Sequence, residues 1–133
     1  MRSTIGAVSA LGAKVSLERQ IDGTLAGGVT GWGAEGPKQP EGPIDCGNSG
    51  TTSRLLMGIL APWSIRVQIT GDESLQKRPM RRIIAPLMKM GASFEPEACE
   101  TLPVTEIGTP NLKAITYDSP MASAQLKTAV LLA

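Results

Sequence analysis

A chain of 133 residues with 41% apolar and 19% charged side chains is long enough for one domain with its own core, and too apolar for a disordered segment. Thirteen Lys and Arg against twelve Asp and Glu leave a net charge of +1, so no global field points to nucleic acid or to an anionic membrane. Histidine is absent, which removes imidazole as base or metal ligand, and with it a His-dependent triad and most zinc sites.

Residues 2–11 place Ile5, Val8 and Leu11 three apart, a helical stripe, and Gly12 follows as its stop. Residues 13–19 alternate apolar and polar like a strand, Ile21-Asp22-Gly23 is a turn signal, and residues 24–30 read as the returning strand of a hairpin. Residues 31–43 hold four Gly and three Pro and read as a loop. Small capping residues from Asp45 onward then open an apolar run, residues 55–61, the pattern of a helix N-terminus. Residues 63–70 alternate again, ended by Gly71-Asp72. Residues 80–90 predict a second helix, entered through Pro79, bent or locally disrupted at Pro86 and stopped by Gly91. Short strands are expected at 92–94, 102–107 and 112–117, and a last helix over 122–133. Leu11-Gly12-Ala13-Lys14-Val15 is echoed by Met90-Gly91-Ala92-Ser93-Phe94, each at a helix-to-strand exit, which suggests a helix–strand–strand–helix unit used twice.

The run from Leu55 to Trp63 contains Gly58 and Pro62 and is too short to span a bilayer, and no basic, apolar leader opens the chain. Cys46 and Cys99 are widely spaced and suggest reduced thiols in a cytoplasmic protein. With Tyr117 they read as packing residues.

Three segments carry candidate chemistry. In Gly47-Asn48-Ser49-Gly50-Thr51-Thr52, glycines allow close backbone approach, and hydroxyls, an amide and a helix N-terminus offer donors to an anion. The segment is neither a Walker A loop nor a GxGxxG fingerprint, and an ordinary capped helix start has the same spacing. Between Ser74 and Phe94 lie five basic residues (Lys77, Arg78, Arg81, Arg82 and Lys89) and no acidic one. Arg81, Arg82 and Lys89 read best as a solvated face. Arg78 stands at the restricted corner before Pro79, suited to gripping phosphate or carboxylate. In Ser119-Pro120-Met121-Ala122-Ser123-Ala124-Gln125, small polar residues open a helix; a simple cap is the plain reading, and Ser123 and Gln125 share a ligand only in a non-helical entry. Together the three entrances and the Arg suggest a pocket for a small anion.

The segments DCGNSGTTSRLLMGILA (residues 45–61), GDESLQKRPMRRIIAPLMKMGA (residues 71–92) and SPMASAQLKTAVLLA (residues 119–133) closely resemble the 5-enolpyruvylshikimate-3-phosphate synthase (EPSP synthase) family. LGAKV near the start and LPVTEIG before the third segment also fit, so the resemblance covers essentially the whole chain. The sister family, the UDP-N-acetylglucosamine enolpyruvyl transferases, shares the fold but not the GDxSLxxRPM wording. The resemblance implies an α/β fold of mixed sheets and helices built from repeated βαβαββ units, part of an inside-out αβ barrel domain. Residues 1–133 would form a single domain fragment holding about two of three such units.

By the same resemblance, the activity is transfer of the enolpyruvyl group of phosphoenolpyruvate to the 5-hydroxyl of shikimate 3-phosphate, with release of phosphate, in the shikimate pathway of aromatic amino-acid biosynthesis. Asn48, Gly50, Arg78 and Gln125 correspond to phosphoenolpyruvate-binding positions, also used by the inhibitor glyphosate. A side chain at Gly50 would intrude on that pocket. Ser123, Ala124 and Gln125 correspond to the shikimate 3-phosphate site, with Gln125 between both substrates. Ala124 stands where some members have a second serine, which removes one hydroxyl contact. No cofactor and no metal are implied, and the partners expected are the two anionic substrates and the rest of the enzyme, with no nucleic acid and no membrane. The family's N-terminal Lys-Ser…Arg motif is absent, as is the second domain that supplies the groups for proton transfer. The expected chain is therefore an interior piece of the N-terminal-half domain that carries no catalytic residue and is inert alone. The alternatives are a non-catalytic anion-binding module reusing the fold, and the sister transferase.

Overall fold

The computed structural model describes residues 2–97, 99–120 and 122–133. Met121, inside the third segment, lies outside them. The elements in chain order are α1 (Arg2–Ala10), β1 (Lys14–Arg19), β2 (Leu25–Thr30), a single 3-10 turn (Gly33–Glu35), β3 (Ile44–Asp45), α2 (Gly50–Leu60), β4 (Arg66–Thr70), α3 (Glu73–Gln76), α4 (Arg81–Met90), β5 (Ser93–Glu95), β6 (Val104–Ile107) and α5 (Ala124–Leu132).

Left-handed glycines end two of the helices. Gly12 (φ 99°) follows α1 and Gly91 (φ 118°) follows α4, where the Gly91 N–H reaches back to the carbonyls of Leu87 and Met88. Only glycine enters that region without strain, so the two echoed sequences mark the same local event, a helix turning into a strand. The first strand so launched, β1, pairs antiparallel with β2 from Lys14↔Thr30 to Arg19↔Leu25. Gly23 (φ 83°) and an Asp22 side chain that accepts from the Thr24 N–H close the turn between them. The hairpin has no further strand beside it among the described residues, and Leu17, Leu25 and Val29 are exposed on it.

The second sheet has the order β3-β4-β6-β5. β3 is parallel to β4 across the α2 crossover, and β6 lies antiparallel between β4 and β5. The run β3–α2–β4–α4–β5–β6 is thus a βαβαββ succession, with α3 as a short inset. Alternation does what it must in a half-buried sheet: Val67, Ile69, Phe94, Val104 and Glu106 face inward, while Arg66, Gln68, Ser93 and Glu95 face out. The inward face packs with Leu56, Met57 and Leu60 of α2 and Ile83, Ile84 and Leu87 of α4 in one aliphatic and Met-rich core.

Four sequence expectations differ. No strand forms at 112–117. That segment alternates because Leu112, Ile115 and Tyr117 lean on the core while their neighbours are exposed, and no strand lies alongside to complete a ladder. α4 runs through Pro86 without interruption, with that proline buried in the core. Ala7 of α1 and Leu11 just past its end, one turn apart, are buried, whereas Ile5 and Val8 are only half-buried. The loop 31–43 contains the 3-10 turn.

Glu106 is the anomaly of the core. It is 1% exposed, stands opposite Val67 and Phe94 in the sheet, and neither carboxylate oxygen has a hydrogen-bond partner. Burial raises its pKa well above the ordinary 4.5, because the charged form cannot be solvated there. Below pH 4.5 folded and unfolded chains both carry the proton; above it the unfolded chain ionises first, so stability falls as pH rises, by up to about 1.4 kcal/mol per pH unit, until the folded carboxyl itself ionises. Glu106→Leu is expected to raise stability at pH 7 by about 1–3 kcal/mol and to flatten this pH dependence, as read by urea unfolding between pH 4 and 8.

Candidate functional site

The sharp turn between β3 and α2 is fixed locally. Asp45 Oδ1 accepts from the Gly47 N–H at 2.8 Å, and Gly47 is left-handed (φ 53°). Ser49 then caps α2, its hydroxyl accepting from the Thr52 N–H at 3.2 Å. This leaves Asn48 exposed beside the helix start and Gly50 buried as its first residue.

A second helix entrance meets the first. Asp72 caps α3, accepting from the Leu75 N–H at 2.8 Å, and its own N–H donates to the Gly47 carbonyl at 3.0 Å. The Asn48 amide bridges the two entrances. Its Nδ2 donates to Asp72 Oδ2 at 2.9 Å, and its Oδ1 accepts from Arg78 Nη2 at 2.6 Å. The Asp72 carboxyl is held below its ordinary value by the Leu75 N–H first, then by the Asn48 amide. Arg78 sits at the corner before Pro79, half-buried, its N–H bonded to the Leu75 carbonyl at 3.0 Å.

The third entrance arrives through helix packing. Gly50, Arg54 and Gly58 stand four apart and form one stripe along α2. At Gly58 the backbone of α5 comes so close that a Cβ would lie 2.1 Å from the Ala129 carbonyl oxygen. That contact docks α5 on α2 and carries its first turn to the site. Ser123 caps α5, accepting from the Leu126 N–H at 3.3 Å, and Ala124 is exposed as the first helical residue. Gln125 reaches α2: its Oε1 accepts from Arg54 Nη1 at 2.8 Å and its Nε2 donates to Thr51 Oγ1 at 2.9 Å.

Asn48, Gly50, Arg78, Ser123 and Gln125, drawn from three separated segments, therefore converge on the N-terminus of α2. Ala124 is beside them on the α5 entry with only its backbone and methyl to offer. Ser123 remains in the extended entry while Gln125 is already helical, which lets residues two apart serve one site. Arg54 and Arg82 join them, lining a cleft of about 50 Å³ with Ser123 and Gln125. Sequence reading passed over Arg54, although it is the one charged residue of α2 and lies a turn from Gly50. Arg82 belongs here rather than on a merely solvated face. Its neighbours fit the solvated reading: Arg81 pairs with exposed Glu100 at 3.0 Å, and the Lys89 ammonium lies 5.3 Å from the Tyr117 ring.

Electrostatically the site is a concentration of guanidinium groups. The Arg54 pKa is lowered by desolvation first, then by Arg82 and Arg78, so an anion entering here would offset the lost solvation and the mutual repulsion. Arg54 donates to neutral acceptors, Gln125 and the Pro79 carbonyl, and its buried Nε has no partner. A larger cleft, about 370 Å³, lies on another stripe of α4 at Arg81, Ile84 and Met88. Its carboxylates, Glu97 and Glu100, repel an anion, and it has no part in the site. Burial pushes the Cys46 thiol up to about 11 and raises that of Cys99, so neither is a thiolate at neutral pH. Among the described residues no group of three or more Cys, Asp or Glu could hold a metal ion, and no helix is long and apolar enough to cross a membrane.

The family model of EPSP synthase (3-phosphoshikimate 1-carboxyvinyltransferase) matches residues 1–133. The chain belongs to the EPSP synthase family. It is 47% identical over 131 residues to the 3-phosphoshikimate 1-carboxyvinyltransferase of Listeria innocua, covering 98% of this chain and 29% of that protein. It is 51% identical over 115 residues to that of Alkalilimnicola ehrlichii, covering 85% and 26%. The solved EPSP synthase of Acinetobacter baumannii superposes with a TM-score of 0.83 at 42% identity, over 98% of this chain and 29% of that one. The chain thus spans under a third of the length of these relatives, and its α/β architecture is that of the family's inside-out αβ barrel. In this EPSP synthase family member the LPVTEIG and LGAKV segments lie at β6 and at the α1–β1 exit.

Because Gly58 permits the α2–α5 contact, Gly58→Ala is expected to destabilise the chain by about 2 kcal/mol despite alanine's better helix propensity. Urea unfolding measures the loss, and the Gln125 side-chain amide signals should lose dispersion in the same variant.

Proposed function

We propose that this chain supplies part of the substrate-binding half of an enolpyruvyl transferase, one that moves the enolpyruvyl group of phosphoenolpyruvate to the 5-hydroxyl of shikimate 3-phosphate and releases phosphate. The observation that carries the proposal is the convergence of Asn48, Gly50, Arg78, Ser123 and Gln125, with Arg54 and Arg82, at one helix N-terminus. Both substrates are phosphate esters that also carry a carboxylate. Guanidinium forks and side-chain amides match such groups.

In this reading Arg78 grips the phosphoenolpyruvate anion, held at the correct corner by Asn48. Gly50 keeps the floor open. A Cβ there would sit 3.0 Å from Arg54 Nη1 and 3.3 Å from Arg78 Nη1, so either guanidinium would have to give way. Ser123 and the backbone at Ala124 meet the phosphate of shikimate 3-phosphate, and Gln125 lies between the two ligands. The chain holds no general acid or base for the proton transfers, which fall to parts of the enzyme beyond it. It is best read as a single domain fragment with about two βαβαββ units, acting in the cytoplasm with the rest of the enzyme as its partner. Alone it binds and orients without turning over.

An amide-resolved NMR titration with shikimate 3-phosphate tests this. Affinity near millimolar, about 4 kcal/mol, is expected for half a site. Shifts should centre on Ser123, Ala124 and Gln125, vanish in Gln125→Ala and persist in Arg78→Ala. Titration with phosphoenolpyruvate should show the reverse sensitivity to Arg78→Ala. A well-dispersed spectrum that neither ligand moves would overturn the proposal. Gly50→Ala should weaken phosphoenolpyruvate binding several-fold while leaving stability unchanged or up to about 1 kcal/mol higher.

A further inference from the structure

The amide of glutamine is nearly symmetric in shape and opposite in polarity: one end donates and the other accepts. Which end faces an anion decides whether the residue attracts or repels it. At Gln125 one neighbour leaves the choice open. The Thr51 hydroxyl, 2.9 Å from Nε2, both donates and accepts, so it would bond either end. Arg54 is different. A guanidinium only donates, and its Nη1 lies 2.8 Å from Oε1. Turning the amide over would set Nε2 hydrogens against guanidinium hydrogens beside Arg78 and Arg82, where positive charge is already concentrated.

Arg54 is itself well placed to impose the choice. It extends from the stripe that also bears Gly50 and Gly58, its Nη2 donates to the Pro79 carbonyl at 3.4 Å, and its Nε is buried without a partner. It links all three entrances: its own helix, the corner of Arg78-Pro79, and the first turn of α5.

We infer that Arg54 is a positioning residue that locks the Gln125 amide with its oxygen turned inward, leaving the second Nε2 hydrogen as a donor to the bound anion. The inference rests on the anion-site reading above and adds to it a residue that selects for anions through the polarity of another. Two properties follow. Any side chain that donates without accepting preserves the lock. Any side chain that removes the donor releases the amide to sample both orientations.

The experiment uses the whole 133-residue chain, with the Gln125 side-chain amide followed by nitrogen–proton NMR in the absence and presence of shikimate 3-phosphate. Without ligand, the two Nε2 hydrogens should be displaced from the shifts of a free glutamine amide, with one showing a cross-peak to Thr51. Arg54→Met should return both shifts to those of a free glutamine amide, remove the cross-peak and weaken shikimate 3-phosphate binding about tenfold. Arg54→Lys should retain the displaced shifts and the cross-peak, with affinity within about threefold. Unchanged Gln125 signals in Arg54→Met would overturn the inference, as would Arg54→Lys behaving like Arg54→Met. Should Arg54→Met fail to fold, Gln125→Glu decides: it keeps an acceptor for Arg54 but has no donor, so the chain should stay folded and lose binding at least tenfold, and binding equal to the parent chain would refute the donor role. A parent chain that binds neither substrate, yet shows the Arg54-dependent amide signature, would sink the anion-site reading and leave the lock standing.

Discussion

The close approach of α5 to α2 at Gly58 is the constraint on which the site depends. Two helices normally pack with their axes 8–10 Å apart, set by side-chain bulk. Here a Cβ on Gly58 would lie 2.1 Å from the Ala129 carbonyl oxygen, so the backbones touch where a side chain would stand. One turn earlier on the same stripe Arg54 meets Gln125, and one turn before that Gly50 leaves space in front of the guanidinium groups. The stripe thus runs from a packing contact through a polar lock to an open floor. Each step depends on the one behind it.

Charge is handled in two contrasting ways inside the chain. At the site, guanidinium groups are crowded together, and Asp72 is hydrogen-bonded to the Asn48 amide that holds Arg78. The result is a positive concentration that an anion would complete, at some cost to the empty fold. In the core, Glu106 sits between Val67 and Phe94 with no hydrogen-bond partner, and burial raises its pKa well above the ordinary carboxylate value. The first arrangement is suited to holding an anion. Nothing in the surrounding side chains gives the second one a use, and its effect is a pH-dependent drain on stability.

Most of the exposed large apolar residues lie at the margins, Met88 of α4 being an exception. Leu17, Leu25 and Val29 line a two-stranded hairpin, while Leu131 and Leu132 end α5. A lone hairpin is marginal without a third strand or a helix on its face, whereas the four-stranded sheet between β3 and β6 is fully backed by α2 and α4. The most stable part of the molecule is therefore also the part that holds the first two helix entrances. The third entrance depends on α5.

Much of this was legible in the residues. Helix starts follow from small capping side chains at Ser49 and Ser123, helix ends from Gly12 and Gly91, and strands from alternation at Lys14–Arg19 and Arg66–Thr70, because capping, left-handed φ and period-two burial are local. The corner at Arg78-Pro79 is local too. What alternation could not tell was whether a neighbour exists, so residues 112–117 alternate like a strand without being one, and the two-residue β3 is too short to announce itself. The inward turn of Glu106 follows from its register between Val67 and Phe94, not from its own chemistry. Nor could spacing distinguish Arg54 and Arg82 from ordinary surface arginines. They join the cleft only in space, Arg54 by bonding Gln125 and Arg82 by lining the same cleft as Ser123, some 70 and 40 positions away along the chain. The sequence by itself determined where the long helices start and stop and which donors each entrance offers; only the tertiary structure decided which strands find partners and which donors meet, the latter because it is set by how closely two helix backbones can approach.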